Sequence, residues 1–328
     1  MAILVTGGAG YIGSHCVAAL LERGEEVVTV DNLRQGHAAA VLGGKLIVCD
    51  IRDGEAMDRV FAENDIEAVI HFAAHSLVGE SMKEPYAYYH NNVYGTLRLL
   101  ECMNQHGVKR IVFSSTAAVY GEPERVPIFE SDRTEPENPY GETKLAMEKM
   151  MRWFDAAHGV KFAALRYFNA AGAHGSGKIG EDHRPETHLI PLILEVPLGK
   201  REFISVFGDD YDTPDGTCIR DYLHVEDLAE AHLLALDHLR RGGESRTYNL
   251  GSGTGFSVME MIDVARRVTG HPIPARVAPR RAGDPARLVA SSEKIKRELG
   301  WNPKKDNIER IVEDAWNWHK NHPNGYGD

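Results

Sequence analysis

The sequence has few cysteines, no long apolar run and no excess of basic charge. Its 328 residues include only four cysteines, which are far apart and form no CxxC pair. We therefore expect neither a disulfide framework nor a redox motif, and no metal site. No stretch approaches the roughly 18 apolar residues that a membrane-spanning helix needs. The formal net charge of −11 argues against nucleic acid or an anionic membrane as a partner.

The amino terminus enters a strand-like run, "AILVTG", without the basic and apolar segments of a targeting signal. The separate cysteines are typical of small buried side chains in a reducing compartment. We therefore expect a cytoplasmic protein, and the chain length predicts two lobes.

Short apolar runs alternate with amphipathic segments in the first half of the chain. Strands are predicted at 2–7, 26–31, 46–50, 68–74, 110–116 and 162–169, and helices near 12–23, 53–63, 89–106 and 139–158. Strands separated by helices predict an α/β fold with a Rossmann-type, doubly wound parallel sheet. The segment after Asn169 is polar, glycine-rich and too long for an ordinary connection, which is typical of a functional loop.

A smaller α/β lobe is predicted in the second half. Its helices are expected near 189–199, 226–241, 257–269 and 306–320, with short strands near 203–207 and 247–250. We place the first domain at 1–170 and the second at 171–328. Segments near 217–245 and 280–300 are expected to return to the first domain.

The stretch "VTGGAGYIG" follows the first strand and opens a helix, with glycines at positions 7, 10 and 13. Such glycines let the backbone approach a pyrophosphate, which a helix N-terminus then binds. A purely structural turn is the alternative, but the acid that ends the second strand, Asp31, favours a dinucleotide. Asp31 can accept from a ribose 2′-OH and would repel a 2′-phosphate, so NAD is favoured over NADP. Asp50 could meet the adenine, or could simply form a turn.

The stretch "NPYGETK" places Tyr140 and Lys144 on one face of a predicted helix that Asn138 caps. A phenol with a pKa near 10 is only about 0.1% ionised at pH 7, and using it as a base requires about 4 kcal/mol. One positive charge about 4 Å away supplies about that much at an effective dielectric near 20. Lys144 could provide it, and one of Ser114, Ser115 or Thr116 could bind the reacting hydroxyl. An ordinary helix surface is the alternative for the pair.

These motifs, with others along the chain, carry a resemblance to a known family. The further motifs are "DNL" (31–33), "DIRD" (50–53), "HFAA" (71–74), "NNVYGTL" (91–97), "SSTAAVYG" (114–121), "LRYFNAAGAH" (165–174), "DYDTPDGTCIRDYLHVEDL" (210–228), "RRAGDPARLVAS" (280–291) and "HPNGYGD" at the end. Together they resemble the UDP-sugar 4-epimerases of the extended short-chain dehydrogenase/reductase superfamily. The resemblance runs from end to end of the chain.

The resemblance implies NAD-dependent interconversion of UDP-galactose and UDP-glucose through a transient 4-keto sugar. Tyr140 would be the base, Lys144 would tune it and hold the nicotinamide ribose, and Thr116 would bridge the sugar 4-OH. The NAD-binding residues carried over are Gly7, Gly10, Tyr11, Ile12, Gly13, Asp31, Asn32, Leu33, Asp50, Ile51, Phe72, Ala73, Ala74, Asn91, Thr116, Tyr140, Lys144 and Phe168. The first domain would bind NAD and the second the UDP-sugar.

The same resemblance assigns the substrate side. Substrate-binding residues carried over are Thr116, Tyr140, Asn169, His188, Leu189, Phe207, Arg220, Arg281, Asp284 and Leu288. His188 stands where some relatives have Asn, and a neutral imidazole there could donate one hydrogen bond. Leu288 stands at a position that varies in bulk, so we hypothesise weak turnover of UDP-N-acetylhexosamines. A homodimer is also implied, with the 89–106 and 139–158 helices at its interface.

Other functions of the same fold stay open to different degrees. Nucleotide-sugar 4,6-dehydratases need an acid and a base just after the strand-end Thr, where this chain has Ala117 and Ala118. The same absence argues against the related decarboxylases. Epimerases of UDP-GlcNAc/GalNAc, UDP-glucuronate or UDP-pentoses use the same chemistry and stay open. A non-catalytic NAD(H)-sensing protein would commonly lack the Tyr-Lys pair.

Overall fold

The computed structural model describes residues 1–281 and 285–327. The strands in these residues are β1 (Ala2–Thr6), β2 (Val27–Asp31), β3 (Lys45–Val48), β4 (Ile66–His71), β5 (Arg110–Ser114), β6 (Lys161–Tyr167), β7 (Asn169–Ala171), β8 (Ile204–Phe207), β9 (Ile219–Arg220), β10 (Tyr222–His224), β11 (Arg246–Leu250), β12 (Phe256–Ser257), β13 (Ala275–Ala278) and β14 (Arg287–Leu288). The helices are α1 (Tyr11–Glu22), α2 (Gly54–Glu63), α3 (Val78–Ser81), α4 (Pro85–Tyr88), α5 (Gly95–Gln105), α6 (Pro139–His158), α7 (Leu189–Leu194), α8 (Val225–Arg240), α9 (Val258–Thr269), α10 (Glu293–Leu299) and α11 (Ile308–Asn321).

Seven strands form one parallel sheet in the order β11-β6-β5-β4-β1-β2-β3. The predicted Rossmann-type fold is confirmed. The strand order reverses between β1 and β4, and a crevice at such a point is where doubly wound sheets bind ligands. The strand predicted near 247–250 is β11, which pairs with β6 at the edge of this sheet. A segment late in the chain therefore completes the seven-stranded sheet.

Two apolar cores cover the two faces of the sheet. One core packs β1, β4 and β6 against α1 and α8, with Val17, Leu20, Leu228 and Leu236 fully buried. The other core lies beneath α2, α5 and α6 and includes Met57, Leu99 and Met147. Burial on both faces explains why the strands read as continuous apolar runs in the sequence.

The smaller lobe is built on short strands. Here β8 pairs with β13, β9 lies between β12 and β14, and β7 pairs with β10. Its core includes Ile190, Leu194, Met261, Ile262 and Ile311. Sequence analysis missed β7, β9, β10, β12 and β14, because two or three residues carry no readable periodicity; it also missed β13 and α10.

The segment predicted as one helix near 89–106 is divided. A wider π-helical turn at Tyr89–Tyr94 precedes α5. Within this turn the buried Asn92 donates 3.0 Å hydrogen bonds to the backbone oxygen of His75 and to Oγ1 of Thr143. Turns of this kind often lie at functional sites.

The start of α6 follows its prediction closely. The Oδ1 of Asn138 accepts from the backbone N–H of Gly141 at 2.9 Å, and Pro139 occupies the first helical position. Gly159 ends the helix with φ of +68°, a left-handed conformation that favours glycine. Among the described residues no helix is both long and apolar enough to cross a membrane.

Buried histidines make the stability of this fold depend on pH. Burial lowers the pKa of His71 to about 3 and that of His232 to about 4. Because the unfolded chain binds a proton near pH 6.5 and the folded chain does not, stability falls as the pH drops from about 6.5 toward 4. At pH 5 each such histidine should lower the free energy of unfolding by roughly 2 kcal/mol.

We expect His232→Asn to reduce the slope of the unfolding free energy against pH between pH 5 and 6. The reduction should correspond to about one bound proton. An asparagine can still donate to the backbone oxygen of Leu228, which the histidine Nδ1 contacts at 2.8 Å. Urea unfolding at several pH values measures the slope, and the contributions of other titrating groups cancel between the two proteins. Parallel slopes for the variant and the parent would contradict the assignment.

Candidate active site

The loop after β1 is shaped by glycines that approach neighbouring backbone. Gly7 has φ of +73°, and a Cβ on it would lie 2.5 Å from the backbone nitrogen of Ala73. A Cβ on Gly13 would lie 2.1 Å from the backbone oxygen of Gly7. Because Gly10 caps α1 without any side-chain hydrogen bond, the first N–H groups of the helix can bind an anion.

The strand ends beside this loop carry most of the predicted cofactor residues. They follow β1 (Gly7, Gly10, Tyr11, Ile12, Gly13), β2 (Asp31, Asn32, Leu33), β3 (Asp50, Ile51), β4 (Phe72, Ala73, Ala74), β5 (Thr116) and β6 (Phe168). Asn91 lies in the π-helical turn, and its amide donates to Oδ1 of Asn92 at 3.0 Å. Carboxyl ends of parallel strands share one edge, so the fold brings these residues together.

The two predicted carboxylates have different surroundings. Asp31 is buried and accepts from the backbone N–H groups of Ala9, at 3.1 Å, and Leu33, at 2.8 Å. Burial raises its pKa, and these bonds partly offset the rise. Asp50 instead binds Arg52 through Nε at 2.8 Å and Nη2 at 2.6 Å, which holds the pKa of Asp50 well below its usual range. The side chain of Ile51 is buried in the core.

Tyr140 and Lys144 lie on α6 opposite the end of β5. The Nζ of the buried Lys144 donates to the backbone oxygen of Ser114 at 2.7 Å. It lies 6.0 Å from the centre of the Tyr140 ring. Thr116 caps the short 3-10 turn that follows β5 and accepts from the N–H of Ala118 at 3.1 Å.

The proposed lowering of the Tyr140 pKa by Lys144 stays a prediction, and burial of the two side chains opposes it. Burial raises the pKa of Tyr140, which the Thr116 hydroxyl lowers only in part. Burial also lowers the pKa of Lys144 to about 7, against the opposing effect of Glu148. The physical reason is that burial disfavours both the phenolate and the ammonium, and the Lys144 ammonium donates to the strand-end carbonyl of Ser114.

Five of the predicted substrate residues make three contacts in the structure. Arg220 on β9 is paired in register with Leu288 on β14. The guanidinium of Arg281 lies over the ring of Phe207, 4.1 Å from its centre. Asn169 donates to the backbone oxygen of Asp221 at 2.9 Å. Asp284 lies outside the described residues.

The imidazole of His188 lies beside two carboxylates, those of Glu181 and Glu186. It precedes Leu189, the first residue of α7, and its Nδ1 lies 2.8 Å from Oε1 of Glu186. Burial alone would lower the pKa of His188, but Glu181 and Glu186 raise it to about 10. In the chain without a bound ion or substrate, the two carboxylates therefore favour the protonated ring, and the predicted contact of His188 with the sugar stays a prediction.

Comparisons with known proteins agree with this geometry. Residues 3–251 match the family model described as "NAD dependent epimerase/dehydratase family". The chain belongs to this family. A curated UDP-glucose 4-epimerase from Halalkalibacterium halodurans is 62% identical, and the match covers 99% of this chain and 98% of that one.

Solved structures extend the comparison. A crystal structure described as a UDP-glucose 4-epimerase is 59% identical, with a TM-score of 0.98 over 99% of both chains. The Bifidobacterium longum UDP-glucose 4-epimerase, described in complex with NAD+ and UDP, is 43% identical, with a TM-score of 0.94 over 99% of this chain and 100% of that one.

The residues present can hold the NAD on which this epimerase/dehydratase family depends. The close backbone packing that Gly7 and Gly13 permit, the N-terminus of α1 without a side-chain cap and the buried Asp31 together match the needs of a pyrophosphate and a ribose. This fit depends on the N–H donors at the start of α1 and on the Asp31 carboxylate as acceptor. It agrees with the family assignment.

Sequence analysis missed the buried ion pair behind the site. The guanidinium of Arg166 binds Glu148 through Nε at 2.9 Å and Nη2 at 2.6 Å, and Ser115 donates to the same carboxylate at 2.6 Å. Arg166 also donates to the Tyr120 hydroxyl at 2.8 Å. A single charge inside the apolar run "FAALRYFN" was the available signal, since a buried charge requires a partner.

Proposed function

We propose that this chain catalyses the NAD-dependent interconversion of UDP-galactose and UDP-glucose, an isomerase reaction of galactose metabolism. The observation that carries the proposal is the group of Tyr140, Lys144 and Thr116 at the sheet edge beside the glycine loop. Ala117 and Ala118 follow Thr116, so no ionisable side chain at those positions can drive elimination of water.

When bound, NAD⁺ supplies the acceptor and later the donor of the hydride at C4 of the sugar. The N–H groups at the start of α1 would bind its pyrophosphate, and Asp31 would accept from its adenosine ribose. Asn32 donates to Asp50 at 3.0 Å, which would hold both side chains beside the adenine. Lys144 would donate to the nicotinamide ribose.

Proton transfer falls to α6. Tyr140 would take the proton of the 4-OH group and return it after the sugar has presented its other face. Thr116 would hydrogen-bond the same hydroxyl and so fix its position. Because burial disfavours the phenolate in the protein alone, positive charge near the bound substrate must lower the pKa of Tyr140, and Lys144 is the candidate on the same helix.

The UDP portion would bind to the smaller lobe. Arg220 and Arg281 would pair with the diphosphate or ribose, because guanidinium groups are permanently charged, forked donors. Asn169, His188, Leu189, Phe207 and Leu288 complete the proposed lining, and Asp284 would join it. We propose domains at 1–170 and 171–328, with the segments near 217–245 and 280–300 returning to the first, where α8, β11 and α10 share its core.

A homodimer and a cytoplasmic location are part of the same proposal. Large apolar side chains are exposed on the segments proposed for the interface, with Tyr89 at 46%, Leu97 at 41% and Trp153 at 75%. Their burial against a second copy would remove apolar surface from water. The free thiols of Cys16, Cys49 and Cys102 fit a reducing compartment.

A direct experiment is to purify the protein, release and identify any bound nucleotide, and assay it with no NAD added. We expect NAD to be released, and UDP-galactose to become UDP-glucose without net NADH. Stoichiometric NADH formation would instead indicate a dehydrogenase. UDP-GlcNAc, UDP-glucuronate and UDP-pentoses, tested in parallel, would reveal a different preferred UDP-sugar if one of them is converted faster.

A further inference from the structure

Four side chains from the loop between β7 and α7 converge on one point. They are Glu181, His183, Glu186 and His188, each of which presents one ligand atom, and these atoms all lie within 4.8 Å of one another. The stretch "GEDHRPETH" (180–188) supplies all four. We propose that these residues form a structural zinc site, in which His188 would bind the ion through Nδ1 and leave Nε2 for the proposed UDP-sugar lining.

The distances between the ligand atoms fit a four-coordinate ion. The Nδ1 of His183 lies 3.2 Å from Oε1 of Glu181 and 3.6 Å from Oε2 of Glu186. The Nδ1 of His188 lies 3.0 Å from Oε1 of Glu181. Zinc binds nitrogen and carboxylate oxygen at about 2.0–2.2 Å, so neighbouring ligands of a tetrahedral ion lie about 3.4 Å apart.

Two of these atoms lack hydrogen-bond partners among the residues the structure describes. They are the buried Oε1 of Glu181 and the buried Nδ1 of His183. The two atoms face each other at 3.2 Å without the geometry of a hydrogen bond. Buried polar atoms are almost always satisfied, and an ion between them would satisfy both at once.

The backbone that carries the ligands is already held in place. The indole N–H of Trp318 donates to the backbone oxygen of Glu181 at 3.2 Å. The Tyr326 hydroxyl donates to the backbone oxygen of Gly180 at 3.1 Å. Oε1 of Glu186 accepts from the N–H groups of Thr187 and His188, at 2.7 and 2.8 Å, which orients its carboxylate. Such supporting contacts are typical of metal ligands.

The ligand chemistry favours zinc over harder ions. Two imidazoles and two carboxylates suit zinc, whereas magnesium and calcium prefer oxygen ligands alone. An entry route exists, because the His188 side chain is 41% exposed. Four protein ligands would close the coordination sphere, which is typical of a structural site.

The position of the cluster indicates what the ion would stabilise. The ring of His183 packs edge-on against Tyr11, with ring centres 6.2 Å apart, and Tyr11 begins α1 at the glycine loop. His188 directly precedes α7. Bound zinc would therefore fix the loop that connects the glycine-rich end of the first lobe to the α7 end of the second.

The competing arrangement contains no metal. Two protonated imidazoles would then pair with the two carboxylates and neutralise the cluster. This alternative and the zinc site differ in a measurable way, because zinc must displace those protons to bind.

The test uses the full chain without a polyhistidine tag. Protein stripped with a chelator is titrated with Zn²⁺, followed by gel filtration and metal analysis. We expect about one zinc per chain, release of protons on binding, and a higher melting temperature. Co²⁺ in its place should give the intense visible absorption of a four-coordinate ion.

Variants separate the site from adventitious binding. His183→Gln and Glu181→Gln should each lower zinc affinity by at least about 100-fold. His174→Gln, a histidine of the same loop outside the cluster, should bind zinc like the parent. Failure of the parent protein to retain zinc overturns the proposal even if a variant does not fold. Equal retention by His183→Gln, Glu181→Gln and the parent overturns it as well.

Discussion

Replacing Tyr140 with phenylalanine should lower kcat for UDP-galactose by about 10² to 10⁴-fold, the range that general acid–base catalysis usually contributes. The change removes one hydroxyl from a partly buried side chain on α6. Apart from its interaction with Thr116, the variant keeps the packing of the site, so bound NAD and KM should change little. Steady-state kinetics and the NAD content of the purified variant measure both effects.

The matched control for Tyr140→Phe is the same chemical change elsewhere in the large sheet. Tyr248 on β11 has a buried ring, and its hydroxyl donates to Glu298 at 3.2 Å. Tyr248→Phe should leave kcat within about twofold, because this tyrosine has no role in the proposed proton transfer. Full activity of Tyr140→Phe would remove the tyrosine from the mechanism and revive a non-catalytic role for the NAD site.

Replacing Arg166 with methionine should cost about 3–5 kcal/mol in the free energy of unfolding. The side chain of Glu148 is fully buried and that of Arg166 is 3% exposed. Without the guanidinium the buried carboxylate would lose its nearest positive charge and two hydrogen bonds. Urea or guanidinium unfolding, followed by circular dichroism, measures the loss.

A second arginine beside the same carboxylate provides the control for Arg166→Met. Arg152 lies 3.8 Å from Oε2 of Glu148, but its side chain is 55% exposed. Arg152→Met should cost no more than about 0.5 kcal/mol, because an exposed pair is screened by water. If the two methionine variants were equally stable, the buried pair would contribute no more than a surface contact.

The fold and the main motifs were readable because their signals are local. Strands such as β1 and β5 have runs of three or four apolar residues, α6 carries its own cap, and the glycines around Gly10 define a loop by spacing alone. Each of these features depends on residues a few positions apart.

Features that depend on distant contacts were not readable in this way. The partner of Arg166 lies on another element, and the direction of the Lys144 ammonium depends on the position of the Ser114 carbonyl. The proposed zinc ligands include no cysteine and no CxxC spacing, and the histidines and glutamates that recur in "GEDHRPETH" converge only in the folded loop. The strand pair of Arg220 and Leu288 joins residues far apart in sequence, which no local pattern predicts.

The placement of β11 has a consequence for biosynthesis. Residues 246–250 complete the sheet beside β6, which ends at Tyr167. A ribosome that adds about 5–20 residues per second needs roughly 4–16 seconds to synthesise the intervening segment. During that interval the nascent chain has an unpaired edge at β6 and lacks α8 over one core. The last strand of the sheet therefore sets how long the growing chain stays vulnerable to pairing with another chain.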